Sequence, residues 1–380
     1  MRKLLIFFLT AALLTAPVYA AEPLSEDSFD LKCTAAVLME RQTGTLLYAK
    51  NAHQHLSPAS VTKVMTLLLV AEAVDAGAVG AEDVVTASAR ASSMGGSQIW
   101  LREGEQMTVA EMTKCVAVVS ANDCAVALAE HLCGSEEAFT ARMNARAAEL
   151  GMEDTHFTNC TGLFEDPNHY TSAWDIALMS RELLGHEFVR QYTTIWTDTI
   201  RGGTFGLTNT NKLVRFYPEC TGLKTGFTST AMFCLAASAM REGVEYVAVI
   251  LHGETSQRRF DDARTLLDYA FANYTLVTPQ PETPPSVRVE LGKASYVAAV
   301  PEDSGAAVVE KALRGSLESE VELPESVRAP VLPGQRLGTL RLCAGGRVVA
   351  ETPLVAAQGV EHVGVLTLWT RLVAALCGQR

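Results

Sequence analysis

Hydrophobic residues change their spacing twice along this chain, and that double change limits the fold more than any other feature. From Thr34 to Lys50 two strand-like runs, AAVLM and TLLYA, flank Gln42-Thr43-Gly44 and read as a hairpin. A helical middle follows. In HLSPASVTKVMTLLLVAEAVDAG, Ser57 is the expected cap, Pro58 suits the first helical position, and Gly77 is a stop. Thr108 to Glu111 form a capping box before MTKCVAVV, Asn122 or Asp123 can cap DCAVALAEHLCG, and Ser135 can begin EEAFTARMNARAAEL. Thr171 or Ser172 opens a further helix through Leu184, closed by Gly185. After Gly222 the spacing becomes extended again. GLKTGF, AMFCLAASA and VEYVAVILH read as adjacent antiparallel strands, and Ser256 to Tyr274 returns to helix. Strands at both ends of a segment with helices between them imply one sheet, hence an α/β (α+β) domain over residues 21–275.

Beyond it, TLVTPQPETPPS is Pro-rich with little apolar content and reads as a linker over residues 276–285. Residues 286–361 hold short alternating segments between Gly and Pro signals, as in a small all-β domain, with no titratable cluster that suggests chemistry. In the last segment, residues 362–380, Val365, Leu368, Trp369, Leu372 and Leu376 fall on one helical face, with Thr367, Thr370 and Arg371 opposite. The segment is too short and interrupted to span a bilayer easily, so it reads as an amphipathic helix lying in a membrane interface with Trp369 buried. Docking on its own protein is the other reading. At the opposite end, Arg2 and Lys3, the apolar stretch Leu4 to Leu14, and Val18-Tyr19-Ala20 read as an export signal over residues 1–20. The working protein is then extracytoplasmic.

Composition removes several classes of function. A formal charge of -12 without any basic block offers no footprint for nucleic acid. The nine cysteines include no CxxC pair and most sit in apolar runs, where they read as small core residues. The eight histidines show no HExxH, and no phosphate-cradling glycine loop is present, so neither a metal nor another cofactor is expected.

Three short motifs occur in order: Ser60-Val61-Thr62-Lys63, Ser120-Ala121-Asn122 and Lys224-Thr225-Gly226. Ser60 and Lys63, three apart on a helix, share a face. With Ser57 as cap, Ser60 falls in the first turn, where free N–H groups favour a developing anion. A serine hydroxyl is a weak nucleophile until a neighbour takes its proton, and a lysine does so only when neutral. Burial and a second cation both lower a lysine pKa, so Lys63 is the candidate base and Lys224 its candidate electrostatic partner. Ser120-Ala121-Asn122 falls at a junction of two helices and could aim a hydroxyl and an amide into a cleft, or serve only as a helix cap. On the strand-like run, Gly226 permits close approach of another backbone and Thr225 can donate to a carboxylate. Lys224 alone also fits a solvated edge lysine.

The runs PASVTK, SAN and TGLKTGFTSTA resemble the three motifs of the penicillin-binding serine acyltransferases. The whole chain, from export signal to terminal helix, is similar to the low-molecular-mass D-alanyl-D-alanine carboxypeptidases of peptidase family S11. The resemblance implies a penicillin-binding, serine β-lactamase-like domain followed by a β-rich domain. It implies that Ser60 attacks the terminal D-Ala-D-Ala bond of peptidoglycan stem peptides with Lys63 as base, and that water then hydrolyses the acyl-enzyme. It further implies that Ser120 relays protons towards the leaving group, Asn122 holds the substrate amide, and Lys224 and Thr225 orient the substrate or its carboxylate. The backbone N–H groups of Ser60 and Phe227 would form the oxyanion hole, beside Gly226. Arg259, with Arg258 adjacent, matches the carboxylate-binding arginine. The family often has His after KTG, whereas Phe227 stands here. β-Lactams are the implied covalent inhibitors.

Rival readings fit the same motifs. A serine β-lactamase uses the same acylation residues but would normally stop near the end of the first domain. An endopeptidase acting on D-Ala cross-links shares the motifs, and a non-catalytic peptidoglycan-binding relative would share the fold. Glu165 and Asp166 in TGLFEDPNHY read as a solvated loop rather than a hydrolytic base, and His156 and His169 lie in the same stretch without metal-ligand spacing.

Overall fold

The run AAVLME is apolar on both faces up to its last residue, and it forms the strand β1 (Ala35–Glu40), in which every residue is buried. The computed structural model describes residues 23–281, 283–364 and 369. The expected export segment lies outside them, as do residues 365–380 of the expected terminal helix apart from Trp369. The chain divides into two compact units between Thr275 and Leu276.

In the first unit β1 turns into β2 (Leu46–Lys50), antiparallel to it. The buried Glu40 carboxylate shapes the turn by accepting the N–H groups of Gln42 and Thr43 at 2.8 and 2.7 Å. Late in the chain come β3 (Cys220–Thr228), β4 (Met232–Arg241) and β5 (Val244–Gly253). The five strands form one antiparallel sheet in the order β2-β1-β5-β4-β3, with Val37 opposite Val249 where the two ends of the segment join. The strand carrying Lys224-Thr225-Gly226 is thus an edge.

Between β2 and β3 lie α1 (Lys63–Asp75), α2 (Val109–Val119), α3 (Asn122–Cys133), α4 (Glu136–Glu149) and α5 (Ala173–Leu183). The helix α6 (Ser256–Asn273) closes the unit. Helix α1 has no polar stripe, and it is buried all round from Lys63 to Ala71, as a helix at the centre of a domain must be. The Thr108–Glu111 capping box forms, and Ser135 and Ser172 accept N–H groups at the starts of α4 and α5. The cap expected at Asn122 or Asp123 does not form. Both residues lie inside α3, and the Asp123 carboxylate instead accepts the N–H groups of Ile99 and Leu101.

The second unit contains β6 (Ser286–Glu290), β7 (Tyr296–Pro301), β8 (Leu317–Glu322), β9 (Ser326–Arg328), β10 (Arg336–Ala344) and β11 (Arg347–Ala356). They form a six-stranded sheet in the order β8-β10-β11-β7-β6-β9, with β6 and β9 parallel. Alternation puts Val287, Val297, Leu340 and Leu354 into one core. Among the described residues, no helix is long and apolar enough to cross a membrane.

Candidate active site

The α-helix expected from Ser57 begins only at Lys63. Ala59–Thr62 form a 3-10 turn ahead of it, and Ser57 caps nothing. Local propensity loses here to packing on both sides. Ala59 is left-handed at φ +47°. A Cβ on Gly162 would lie 1.9 Å from the Ala59 carbonyl oxygen, and one on Gly226 would lie 2.6 Å from that of Pro58. The turn is clasped between a loop and β3, and only glycine fits on either side. Ser60 therefore precedes the first α-helical turn instead of occupying it.

Lys63 still reaches back to the serine. Its Nζ donates to Ser60 Oγ at 2.9 Å and to the Thr161 carbonyl at 2.8 Å. The lysine is fully buried, and burial pushes its pKa down to about 7, although Cys160 and Asp123 act in the opposite direction. The cause is desolvation, not the second cation expected in Lys224. Charge repulsion acts on Lys224 itself, which burial, then Lys63 and then Arg259 hold well below the usual lysine range. Lys224 is not a solvated edge lysine. It is buried and donates to the Thr225 carbonyl at 2.8 Å.

Ser120-Ala121-Asn122 occupies the junction of α2 and α3. Ser120 ends α2 in a left-handed conformation, φ +65°, which breaks the helix and starts the next one. Asn122 Nδ2 donates to the Gly95 carbonyl and its backbone N–H to that of Ser97, both at 2.7 Å. Ser120 Oγ and Asn122 Oδ1 are buried without a hydrogen-bond partner among the described residues. Such atoms cost free energy unless something else pairs with them.

On β3, Thr225 Oγ1 donates to Thr210 Oγ1 at 2.7 Å, and the Thr210 N–H donates to the Val118 carbonyl at 3.1 Å. These two bonds tie the strand to the end of α2 that carries Ser120. A Cβ on Gly226 would also come 3.1 Å from the Ser60 nitrogen, so β3 passes directly beside the serine turn. Of the adjacent arginines, Arg259 faces inward. It donates to the carbonyls of Gly226 and Cys234 at 2.9 and 3.2 Å, and burial pushes its pKa down to about 10. Phe227 is 57% exposed and stacks on Phe233 at 4.5 Å. Among the described residues, Lys63, Lys224 and Arg259 form no salt bridge, and Lys63 and Arg259 lie close enough to Lys224 for their charges to lower its pKa.

Residues 20–255 match the D-alanyl-D-alanine carboxypeptidase family. The chain belongs to that family. Residues 274–362 match the C-terminal domain of penicillin-binding protein 5. The D-alanyl-D-alanine carboxypeptidase DacF of Bacillus subtilis is 41% identical over 343 residues, 89% of this chain and 88% of its own. DacC of Escherichia coli is 30% identical over 361 residues, 92% and 90% of the two chains. Penicillin-binding protein 5 from Haemophilus influenzae superposes with a TM-score of 0.79 at 28% identity, over 88% of this chain and 99% of that one. Penicillin-binding protein D2 from Listeria monocytogenes, in its ampicillin-bound form, gives 0.59 at 30% identity over 64% and 99%. The expected family, fold class and serine-peptidase enzyme class hold.

In this carboxypeptidase family member the structure adds residues that the motifs did not reveal. Asn159 Oδ1 accepts three donors, Thr161 N–H, Thr161 Oγ1 and Gly162 N–H, at 3.1, 3.1 and 2.7 Å. It thereby sets the Thr161 carbonyl that holds Lys63. His169 is buried, with its pKa pushed down to about 4, and its Nδ1 accepts the Thr158 N–H at 3.1 Å. Its other nitrogen then donates to Thr62 Oγ1 at 2.8 Å, and Thr62 donates to the Ala59 carbonyl at 2.8 Å. Glu165 is exposed, as expected for a solvated loop, and accepts from Ser229 Oγ and the Thr230 N–H at 3.0 and 3.3 Å. The sequence signal for the loop was its turn chemistry, Asn159 with Gly162 three residues on.

Proposed function

We propose that this chain removes the terminal D-Ala from peptidoglycan stem peptides through an acyl-enzyme on Ser60. Neutral Lys63 takes the hydroxyl proton as Ser60 Oγ attacks the carbonyl of the D-Ala-D-Ala bond. The backbone N–H groups of Ser60 and Phe227 receive the oxyanion, and Ser120 passes a proton to the leaving nitrogen. The C–N bond breaks, D-Ala departs, and an ester remains on Ser60. Water then adds to that ester with Lys63 again as base, releasing the shortened peptide and restoring the hydroxyl. Asn122 pairs with the substrate amide, and Lys224, Thr225 and Arg259 receive its terminal carboxylate, beside Gly226.

The observation that carries this reading is the 2.9 Å contact between Ser60 Oγ and a lysine whose pKa burial lowers to about 7. Two others support it: Ser120 Oγ and Asn122 Oδ1, unpaired among the described residues, and the neighbouring Lys224 and Arg259, neither of which forms a salt bridge among those residues. A substrate amide N–H can donate to Asn122 Oδ1, and an anionic peptide terminus can meet the cations.

The reading extends to the whole chain. Residues 1–20 are an export signal, 21–275 the catalytic domain, 276–285 a linker, 286–361 a β-rich domain and 362–380 a membrane-associating helix. The enzyme then works outside the cytoplasm on the outer face of the membrane, and β-lactams acylate Ser60. The test is D-Ala release from a peptide ending in Lys-D-Ala-D-Ala. Release by the wild type, abolished by Ser60→Ala, supports the proposal, and release that survives the substitution sinks it.

A further inference from the structure

Trp100 is 64% exposed, yet its backbone sits in the left-handed region at φ +56°, an uncommon conformation for a bulky residue. Two side chains keep it there. The buried Asp123 carboxylate accepts the N–H groups on either side of Trp100, those of Ile99 and Leu101, at 3.1 and 3.0 Å. The Arg201 guanidinium donates to the carbonyls of Ile99 and Trp100 at 2.8 and 3.5 Å. An exposed indole returns little burial for this arrangement. Backbone strain of this kind clusters at functional sites, and an exposed tryptophan is a common binding anchor.

The indole lines an open cleft of about 690 Å³ together with Arg102, Glu103, Glu105, Arg201 and Phe205. The Phe205 ring meets it edge-on, with centroids 5.8 Å apart. Charges of both signs border the aromatic face, and Arg201 bonds to Glu105 at 2.7 Å. A pyranose ring has the matching chemistry. Its C–H face lies flat on an indole while its hydroxyl and acetamido groups, directed outward, find carboxylate acceptors and guanidinium donors. An apolar side chain would desolvate those charged groups without offering them a hydrogen bond.

The same loop reaches the candidate active site, because Gly95 and Ser97 hold Asn122 through their carbonyls. Asp123, which fixes Trp100, directly follows Asn122. We propose that the Trp100 cleft is a saccharide subsite, taking an amino-sugar ring of the glycan to which the stem peptide is attached. This inference rests on the carboxypeptidase reading of the Ser60 site.

The experiment compares kcat/KM of the full-length protein on two substrates. One is a free pentapeptide ending in D-Ala-D-Ala. The other is the same peptide carried on a β-1,4-linked disaccharide of N-acetylated amino sugars. The disaccharide is expected to raise kcat/KM about tenfold through a lower KM, the size of one good aromatic stacking contact. Trp100→Ala removes most of that gain and Trp100→Phe retains part of it. Phe216→Ala, at an aromatic residue 61% exposed on another element, keeps the wild-type ratio. Calorimetric binding of the disaccharide-peptide to Ser60→Ala, with and without Trp100→Ala, gives a readout free of turnover. Equal kcat/KM for the two substrates in the wild type, or an equal fall for both in Trp100→Ala, overturns the subsite and leaves the carboxypeptidase reading standing. No D-Ala release from either substrate, with disaccharide-dependent binding that Trp100→Ala abolishes, overturns that reading and supports the subsite.

Discussion

A lysine that serves as a general base must be neutral, so the pH dependence of the reaction tests the burial of Lys63 directly. With an ordinary pKa of 10.5, a lysine is neutral in about one molecule in three thousand at pH 7. At the value of about 7 that burial imposes, about half of the Lys63 side chains are neutral there. The rate constant kcat/KM for D-Ala release should therefore rise with unit slope on a logarithmic scale, bend near pH 7, and be about a hundredfold lower at pH 5 than at pH 8. His169, held at about 4, lies below this window. The other buried amine is separated by Lys224→Arg, whose fixed charge leaves the limb in place when Lys63 is its source. Lys63→Arg has no accessible neutral form and should lose at least about a thousandfold in rate. Stability moves with the same group. Its folded pKa lies below the unfolded one, so the folded state binds fewer protons between pH 7 and 10.5 and gains stability as pH rises through that window. The full difference is about 5 kcal/mol, and Lys63→Met should stabilise the fold at pH 7 and lose that advantage towards pH 10.5. A rate that is flat from pH 5 to 8, a limb centred near 10, or an active Lys63→Arg protein would refute the reasoning.

Other perturbations separate the parts of the site. Gly226→Ala drives a methyl group into the Pro58 carbonyl and the Ser60 turn. It should slow acylation by a fluorescent penicillin about a hundredfold or more, with near-wild-type circular dichroism. Asn159→Ala strands three donors of the loop that holds Lys63. Urea unfolding should show a loss of about 2–4 kcal/mol, and the remaining folded protein should acylate more slowly. Leu354→Ala opens a cavity in the core of the second unit. It should destabilise that unit by about 2–5 kcal/mol while the penicillin acylation rate stays at its wild-type value.

What the sequence disclosed depended on whether the signal was periodic or local. The five-stranded sheet followed from extended spacing at both ends of the segment, and the close approach at Gly226 followed from its lack of a side chain. The start of α1 did not follow. Ser57-Pro58 has the composition of a helix start, but Gly162 and Gly226 press on the intervening backbone and turn Ala59 left-handed. Both contacts join residues far apart in the chain, where propensity has no reach. The role of Asp123 was hidden for the same reason: its partners, Ile99 and Leu101, lie in a loop without period. Lys63 and Lys224 were legible as a pair, but which force lowers each pKa depends on burial that only the packed structure contains.

The most direct measurement is mass analysis of the purified protein after brief exposure to benzylpenicillin, followed by peptide mapping. The account predicts one penicilloyl adduct, on the peptide containing Ser60, that is absent from Ser60→Ala and forms more slowly below pH 7. An adduct on any other residue, or an unmodified Ser60 in protein that still releases D-Ala, would contradict it.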